Sequence, residues 1–219
     1  MTASEDPTVI TRDDDQFHLV ALVLKLLPHL TFRHHGIGLL QAYIAEGERE
    51  ECRLHVWHSR LVVPGKMESG GSHNHRFDLT SSVLVGAIHH TFLRPVSDAE
   101  GAYRMATVNP ARSVLGGGKG AELSALPGSF SLEHADHVIP AGSRYAFPKR
   151  AFHRAFARGP TITLVHKSAQ EPDPATVILH KDAVPMFAVS SPDPDLQMAV
   201  VRSATEALER RLAELGDAR

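Results

Sequence analysis

The sequence predicts an all-β barrel or sandwich flanked by helices at both ends of the chain. Three observations carry this. Seven extended runs lie between residues 52 and 180, several alternating apolar with polar residues: 52–59, 81–88, 89–93, 103–108, 129–138, 161–167 and 176–180. Gly and Pro clusters punctuate them, at Pro64-Gly65, Gly70-Gly71, Gly116-Gly117-Gly118, Pro127-Gly128 and Pro140-Ala141-Gly142. Short strands at turn-marked intervals fit a closed or double sheet. No long helical pattern alternates with them, which argues against a doubly wound parallel sheet.

Taken in order, residues 1–10 read as a loose tail. Asp13, Asp14 and Asp15 supply the N-cap and first-turn negative charge for a helix to about Leu27. A second helix is expected over His35–Ala45, where Ile37, Leu40, Gln41 and Ile44 share one face at helical spacing. The strands come next. At the far end Asp193 caps a last helix with Pro194 in its first position. Leu196, Val200, Ala204, Leu208, Leu212 and Leu215 form its apolar stripe, and Glu206 and Arg210 sit four apart in the favourable order. The stripe is expected to pack on the barrel. The domain reading is thus 1–50 for the tail and helices, 51–182 for the barrel and 183–219 for the C-terminal extension, in a chain whose 219 residues suit one domain.

Composition removes several function classes. Lys plus Arg is 23 against 25 Asp plus Glu, a net charge of −2, so no nucleic-acid partner bound through bulk positive charge is expected. A single cysteine, Cys52, excludes an intrachain disulfide framework and a Cys-rich zinc site. The apolar stretch Leu19–Leu27 is broken by Lys25 and ended by Pro28, short of the ~20 residues a membrane span needs. It comes after three aspartates, the reverse of a secretory leader. A soluble, cytoplasmic protein with no membrane partner is expected, and a homodimer. Gly116-Gly117-Gly118-Lys119-Gly120 lacks the Ser or Thr of a phosphate-binding loop and reads as a mobile hairpin or lid.

The chemistry points to histidine, of which there are 15. In Gly70-Gly71-Ser72-His73-Asn74-His75 the two imidazoles are two residues apart. On a strand they fall on one side, ~6.5–7 Å apart at the backbone, and can lean onto one ion at ~2.0–2.1 Å per nitrogen. Shuffling this composition yields about one His-x-His pair, so the surroundings carry the weight. A Gly-rich turn precedes the pair, the run Ser81–Val85 ends at Gly86, and Pro140-Ala141-Gly142 comes some 65 residues later, with His153 beyond it. His55 and His58, and likewise His134 and His137, are three apart and fall on opposite strand faces, as do the adjacent pairs His34-His35 and His89-His90. His166 reads as outward-facing.

Gly71-Ser72-His73-Asn74-His75 with Gly86, and Pro140-Ala141-Gly142 with His153, resemble the two motifs of the cupin superfamily, over roughly residues 52–182. The resemblance implies a double-stranded β-helix, or jelly-roll, barrel with a metal held inside by His73, His75 and His153. It departs from the family pattern at two places. Leu79 stands where the first motif has Glu, and the nearest carboxylate, Asp78, points away unless the strand bulges. Tyr145 stands where the second motif has its His, so His153 must arrive through a longer loop, Phe147-Pro148-Lys149-Arg150. The chain is also similar to the three-histidine thiol dioxygenases of that superfamily, in Phe152-His153-Arg154 before Thr161-Ile162-Thr163-Leu164 and in Val83-Leu84-Val85-Gly86.

The resemblance further implies a divalent metal, Fe(II) first, with Ni, Zn or Mn as alternatives. With it comes a dioxygenase-type oxidoreductase that takes a small anionic metabolite and oxygen as partners. The alternatives are a metal-dependent cupin isomerase or hydrolase, and a non-catalytic cupin that binds a small ligand in the barrel. Tyr145 is the candidate catalytic residue, its phenol placed to donate a hydrogen bond to substrate or oxygen. Arg76 and Arg154 are candidates for a substrate carboxylate, although neighbours of inward residues face outward on a strand.

Overall fold

The computed structural model describes residues 9–35, 37–47, 50–62, 71–109, 122–183 and 193–218. The glycine-rich run 116–120 lies outside them. Among the described residues fourteen strands build two seven-stranded antiparallel sheets. One sheet holds β1 (Val9–Arg12), β2 (Arg33–His35), β3 (Ile37–Glu46), β4 (Glu51–Val62), β6 (Asp78–Val85), β11 (Ser143–Phe147) and β13 (Thr161–Ser168), in the order β1-β11-β6-β13-β4-β3-β2. The other holds β5 (Ser72–Asn74), β7 (Ala87–Ser97), β8 (Tyr103–Asn109), β9 (Glu122–Ala125), β10 (Phe130–Pro140), β12 (Phe152–Phe156) and β14 (Ala175–His180), in the order β10-β7-β12-β5-β14-β8-β9. Among the described residues two α-helices, α1 (Gln16–Leu26) and α2 (Pro194–Asp217), pack with them, with a 3-10 turn at Leu27–His29.

The pairings define the fold class. Strand β7 pairs with β10, β6 with β11, β5 with β12 and β4 with β13, all antiparallel. The ribbon β4–β7 therefore runs against β10–β13 strand for strand, while successive strands of each arm alternate between the sheets. That winding is a jelly roll, as the resemblance implies.

Two apolar layers result. Between the sheets lie Leu39, Trp57, Leu79, Val83, Ile88, Ile139, Tyr145, Phe147 and Val165. Outside the first sheet, Leu40, Ala42, Leu54, Val56, Leu84 and Ile162 meet Val20 and Val23 of α1 and Val200, Ala204 and Leu208 of α2. The C-terminal stripe thus packs on the barrel, with Leu196, Leu212 and Leu215 at its margins. Asp193 caps α2, its side chain accepting the Asp195 N–H at 2.9 Å, with Pro194 in the first turn.

Three expectations change. The helix expected over His35–Ala45 is replaced by strands β2 and β3. Even positions of β3 (Leu40, Ala42, Ile44) face the helices, and odd ones (Ile37, Leu39) face the barrel. A strand covered on both faces shows no apolar–polar alternation, and its apolar residues fall into helical spacing by chance. The run 81–88 is two strands, because Gly86 turns the chain at φ +75° between β6 and β7. The three aspartates precede α1 rather than occupying its first turn. Asp15 is the N-cap without a side-chain bond, and Asp13 instead accepts from the Asp15 N–H and the Gln16 amide, each at 3.3 Å.

Candidate metal centre

His73 lies on β5, His75 just past its end and His153 on β12. Because β5 and β12 pair, His73 stands directly opposite His153. The longer loop expected before His153 is fixed to the Gly71–His75 segment itself. The Arg150 N–H donates to the His75 carbonyl at 2.8 Å, and the Arg150 side chain holds Glu171 at 3.0 Å and the Pro174 carbonyl at 2.8 Å. Arg150 does this at φ +66°, a left-handed conformation disfavoured for a side chain of its size. The loop thus delivers His153 to the pair.

The three imidazoles form a nearly equilateral triangle, with ring centroids 4.7, 4.9 and 4.9 Å apart. One nitrogen from each lies within 4.8 Å of the others. His153 Nε2 and His75 Nε2 are 2.9 Å apart; two donors held at right angles ~2.1 Å from one cation stand about 3.0 Å apart. The second nitrogens of His73 and His153 are engaged. His73 Nδ1 is 3.2 Å from the Gly71 carbonyl, and His153 Nδ1 is 2.9 Å from His90 Nε2. Such contacts fix ring orientation and tautomer, and leave the Nε2 atoms turned to the shared point. The donor set fits a divalent transition metal. Among the described residues, potential metal ligands converge in this way at one place, the histidine triangle.

Electrostatics agree with neutral imidazoles. Burial holds the His73 ring below its ordinary pKa, and burial together with the neighbouring histidines holds His75 and His153 well below it. Metal binding needs the neutral form, so no proton has to be expelled near neutral pH. His153 is buried, whereas His73 and His75 are half-buried and retain contact with solvent. Phe77 stacks on His75 at 4.6 Å and Phe147 lies 4.5 Å from His153, giving the triangle apolar walls.

The other candidates scatter. Tyr145 is buried on β11, its ring 5.5 Å from that of His90 and its hydroxyl beside Ser81, so it sits behind the triangle with His90 between. Asp78 turns to the loop, where its carboxylate accepts the Lys149 N–H at 2.9 Å. His134 is exposed beside Asp136, and His166 faces outward towards Glu50. His34 is buried against the Leu61 carbonyl at 2.8 Å. Arg154 is exposed on β12 and Arg76 is half-buried. Burial raises the Cys52 thiol, which rules against an activated thiolate there. His90 is the residue that sequence reasoning missed. Adjacent His89 and His90 do point opposite ways, His89 stacking on Phe156 and His90 turning inward to His153. The signal that could have found it was phase, since His90 lies two residues beyond the buried Ile88.

No family model matches the chain, and no curated protein matches it. Among solved structures it is similar to Streptomyces albus HEPD with 2-hydroxyethylphosphonate and Fe(II) bound, at 8% identity and TM-score 0.39, over 79% of this chain and 27% of that one. The chain thus spans about a quarter of that protein's length. It is similar to hydroxypropylphosphonic acid epoxidase from S. wedmorenis at 10% identity and TM-score 0.39, over 75% of this chain and 64% of that one. A cupin-2 domain containing protein from Shewanella frigidimarina shares 14% identity at TM-score 0.30, over 59% of this chain and 79% of that one. Likenesses this distant carry no chemistry, and the jelly roll stands on the chain's own strand pairings. No helix among the described residues is long and apolar enough to cross a membrane.

Proposed function

We propose that the chain is a metal-dependent cupin-type oxidoreductase that binds Fe(II) through His73, His75 and His153 and oxidises a small anionic metabolite with oxygen. The observation that carries the reading is the triangle of neutral imidazoles with their nitrogens converging on one point. A metal bound there would supply a Lewis-acidic centre with its full positive charge and, as iron, redox chemistry with oxygen. The chain's own groups do the rest. His90 and the Gly71 carbonyl hold two of the rings in place. Phe77 and Phe147 exclude water from the imidazole faces. Tyr145, in the layer behind His90, is proposed as the hydroxyl that supports the site from within the barrel.

The test is elemental analysis of untagged protein beside a His73→Ala, His75→Ala double variant. Iron in the wild type alone supports the reading, and equal metal in both overturns it. Oxygen uptake with small thiols and carboxylic acids then separates a dioxygenase from an isomerase or hydrolase, which would consume none.

A further inference from the structure

The inner face of the first sheet, across the barrel from the histidine triangle, carries an unusual set of polar residues. Strand β4 presents Glu51, Arg53 and His55 on the side that ends in Trp57, and β13 presents Lys167 on the side of Val165. Glu51 holds both cations: Lys167 Nζ lies 3.0 Å from its carboxylate, and the Arg53 guanidinium also contacts it. Arg53 reaches further to the Gln41 amide oxygen at 3.0 Å and lies 4.5 Å above the Tyr43 ring. Lys167 is 8% exposed, with its ammonium 4.3 Å over Phe77, the ring that stacks on His75.

Two features of this set are unbalanced. One carboxylate faces two cations, so one positive charge is buried without a counter-charge among these groups. A buried unpaired charge is costly, and the cost is visible in Lys167, whose pKa falls to about 7 because burial and Arg53 outweigh Glu51. Near neutral pH it therefore holds its proton only part of the time, and a bound anion would keep it charged. His55 Nε2 is fully buried and has no hydrogen-bond partner among the described residues. The His55 ring lies within the electrostatic reach of both Lys167 and Arg53, and His75 within that of His55. An uncompensated cation and an orphaned ring nitrogen thus share the space that faces the metal-binding triangle.

We infer that Lys167, with Arg53 and His55, forms an oxyanion subsite that holds the carboxylate or phosphate-type group of a small substrate whose other end reaches the histidine triangle. The bound anion supplies the missing negative charge, and His55 Nε2 takes part in a hydrogen bond to it. The subsite deepens the metal-enzyme reading above and rests on it for the second point of attachment.

The experiment titrates metal-free protein with malonate, and with the neutral isostere malonamide, at constant ionic strength, following the melting temperature. Malonate is expected to raise it saturably and malonamide to leave it unchanged. Lys167→Met, which leaves Arg53 and Glu51 as a one-to-one pair, is expected to weaken malonate by at least about tenfold, the worth of a charge-assisted bond. Inorganic phosphate in a parallel arm tells a carboxylate site from a phosphate one. Indistinguishable responses to malonate and malonamide in wild type, or unchanged malonate binding in Lys167→Met, overturn the inference. The wild-type contrast decides even if the variant does not fold.

Co(II) loading, read by its absorption, separates this from the metal reading. Malonate binding that depends on Lys167 in a protein that takes no Co(II) leaves the subsite standing and removes the metal. Co(II) uptake with malonate binding indifferent to Lys167 does the reverse.

Discussion

Replacing His90 by Phe tests how the proposed metal centre is held. His90 is fully buried, and its Nε2 lies 2.9 Å from Nδ1 of the buried His153. Phe preserves the ring packing against Phe147, 5.0 Å away, but removes the nitrogen. Outer partners of metal-bound imidazoles are worth roughly 10–100-fold in metal affinity, or about 1.4–2.7 kcal/mol. Leaving His153 Nδ1 buried without its partner costs about 1–3 kcal/mol of stability, which at about 2–4 °C per kcal/mol lowers the melting temperature by roughly 2–12 °C. The assay is Co(II) titration against a competing chelator, with the melting curve of the metal-free protein measured in parallel. His90→Gln, whose amide can still donate or accept, is expected to recover part of the affinity. A Kd for His90→Phe within about twofold of wild type would refute the reasoning, even with a lowered melting temperature, since a purely structural residue changes stability alone.

The same geometry makes stability depend on pH and on one turn. His55, His75 and His153 are held neutral by burial, well below their ordinary range. The unfolded chain takes up their protons below about pH 6.5 and the folded chain does not, so stability is fully present above that pH and falls as pH drops below it, by up to about 1.4 kcal/mol per pH unit for each ring. Urea midpoints of the metal-free protein are expected to decline from about pH 6.5 to about pH 5, and less steeply in His75→Gln; equal slopes would contradict the neutral, buried assignment. Gly86→Ala is expected to destabilise by at least about 1–2 kcal/mol from its left-handed φ alone. A Cβ there would also clash with Thr161 Oγ1 and lie 2.5 Å from the Pro160 carbonyl. Thermal denaturation of the variant measures this, and an unchanged melting temperature would mean that the β6–β7 turn relaxes freely.

The strands of the ribbon and the C-terminal helix were legible because their residues advertise a period. Leu54 and Val56 alternate with Arg53 and His55, and the stripe from Leu196 to Leu215 repeats every three to four residues. Strand β3 was not legible as a strand, since helices cover one of its faces and the barrel core the other. The short strands β5, β11 and β12 carry the site, yet three to five residues are too few to show a period.

From the sequence alone came the turn punctuation and the His73–Asn74–His75 spacing. Those are local properties, set by which side chains succeed one another along the backbone. Only the folded chain decided that His153 stands opposite His73, that His90 rather than Tyr145 touches that ring, and that Lys167 and Arg53 share the single carboxylate of Glu51. Each of these depends on the pairing of strands distant in sequence, and register between distant strands is fixed by packing across the whole barrel rather than by any short stretch of it.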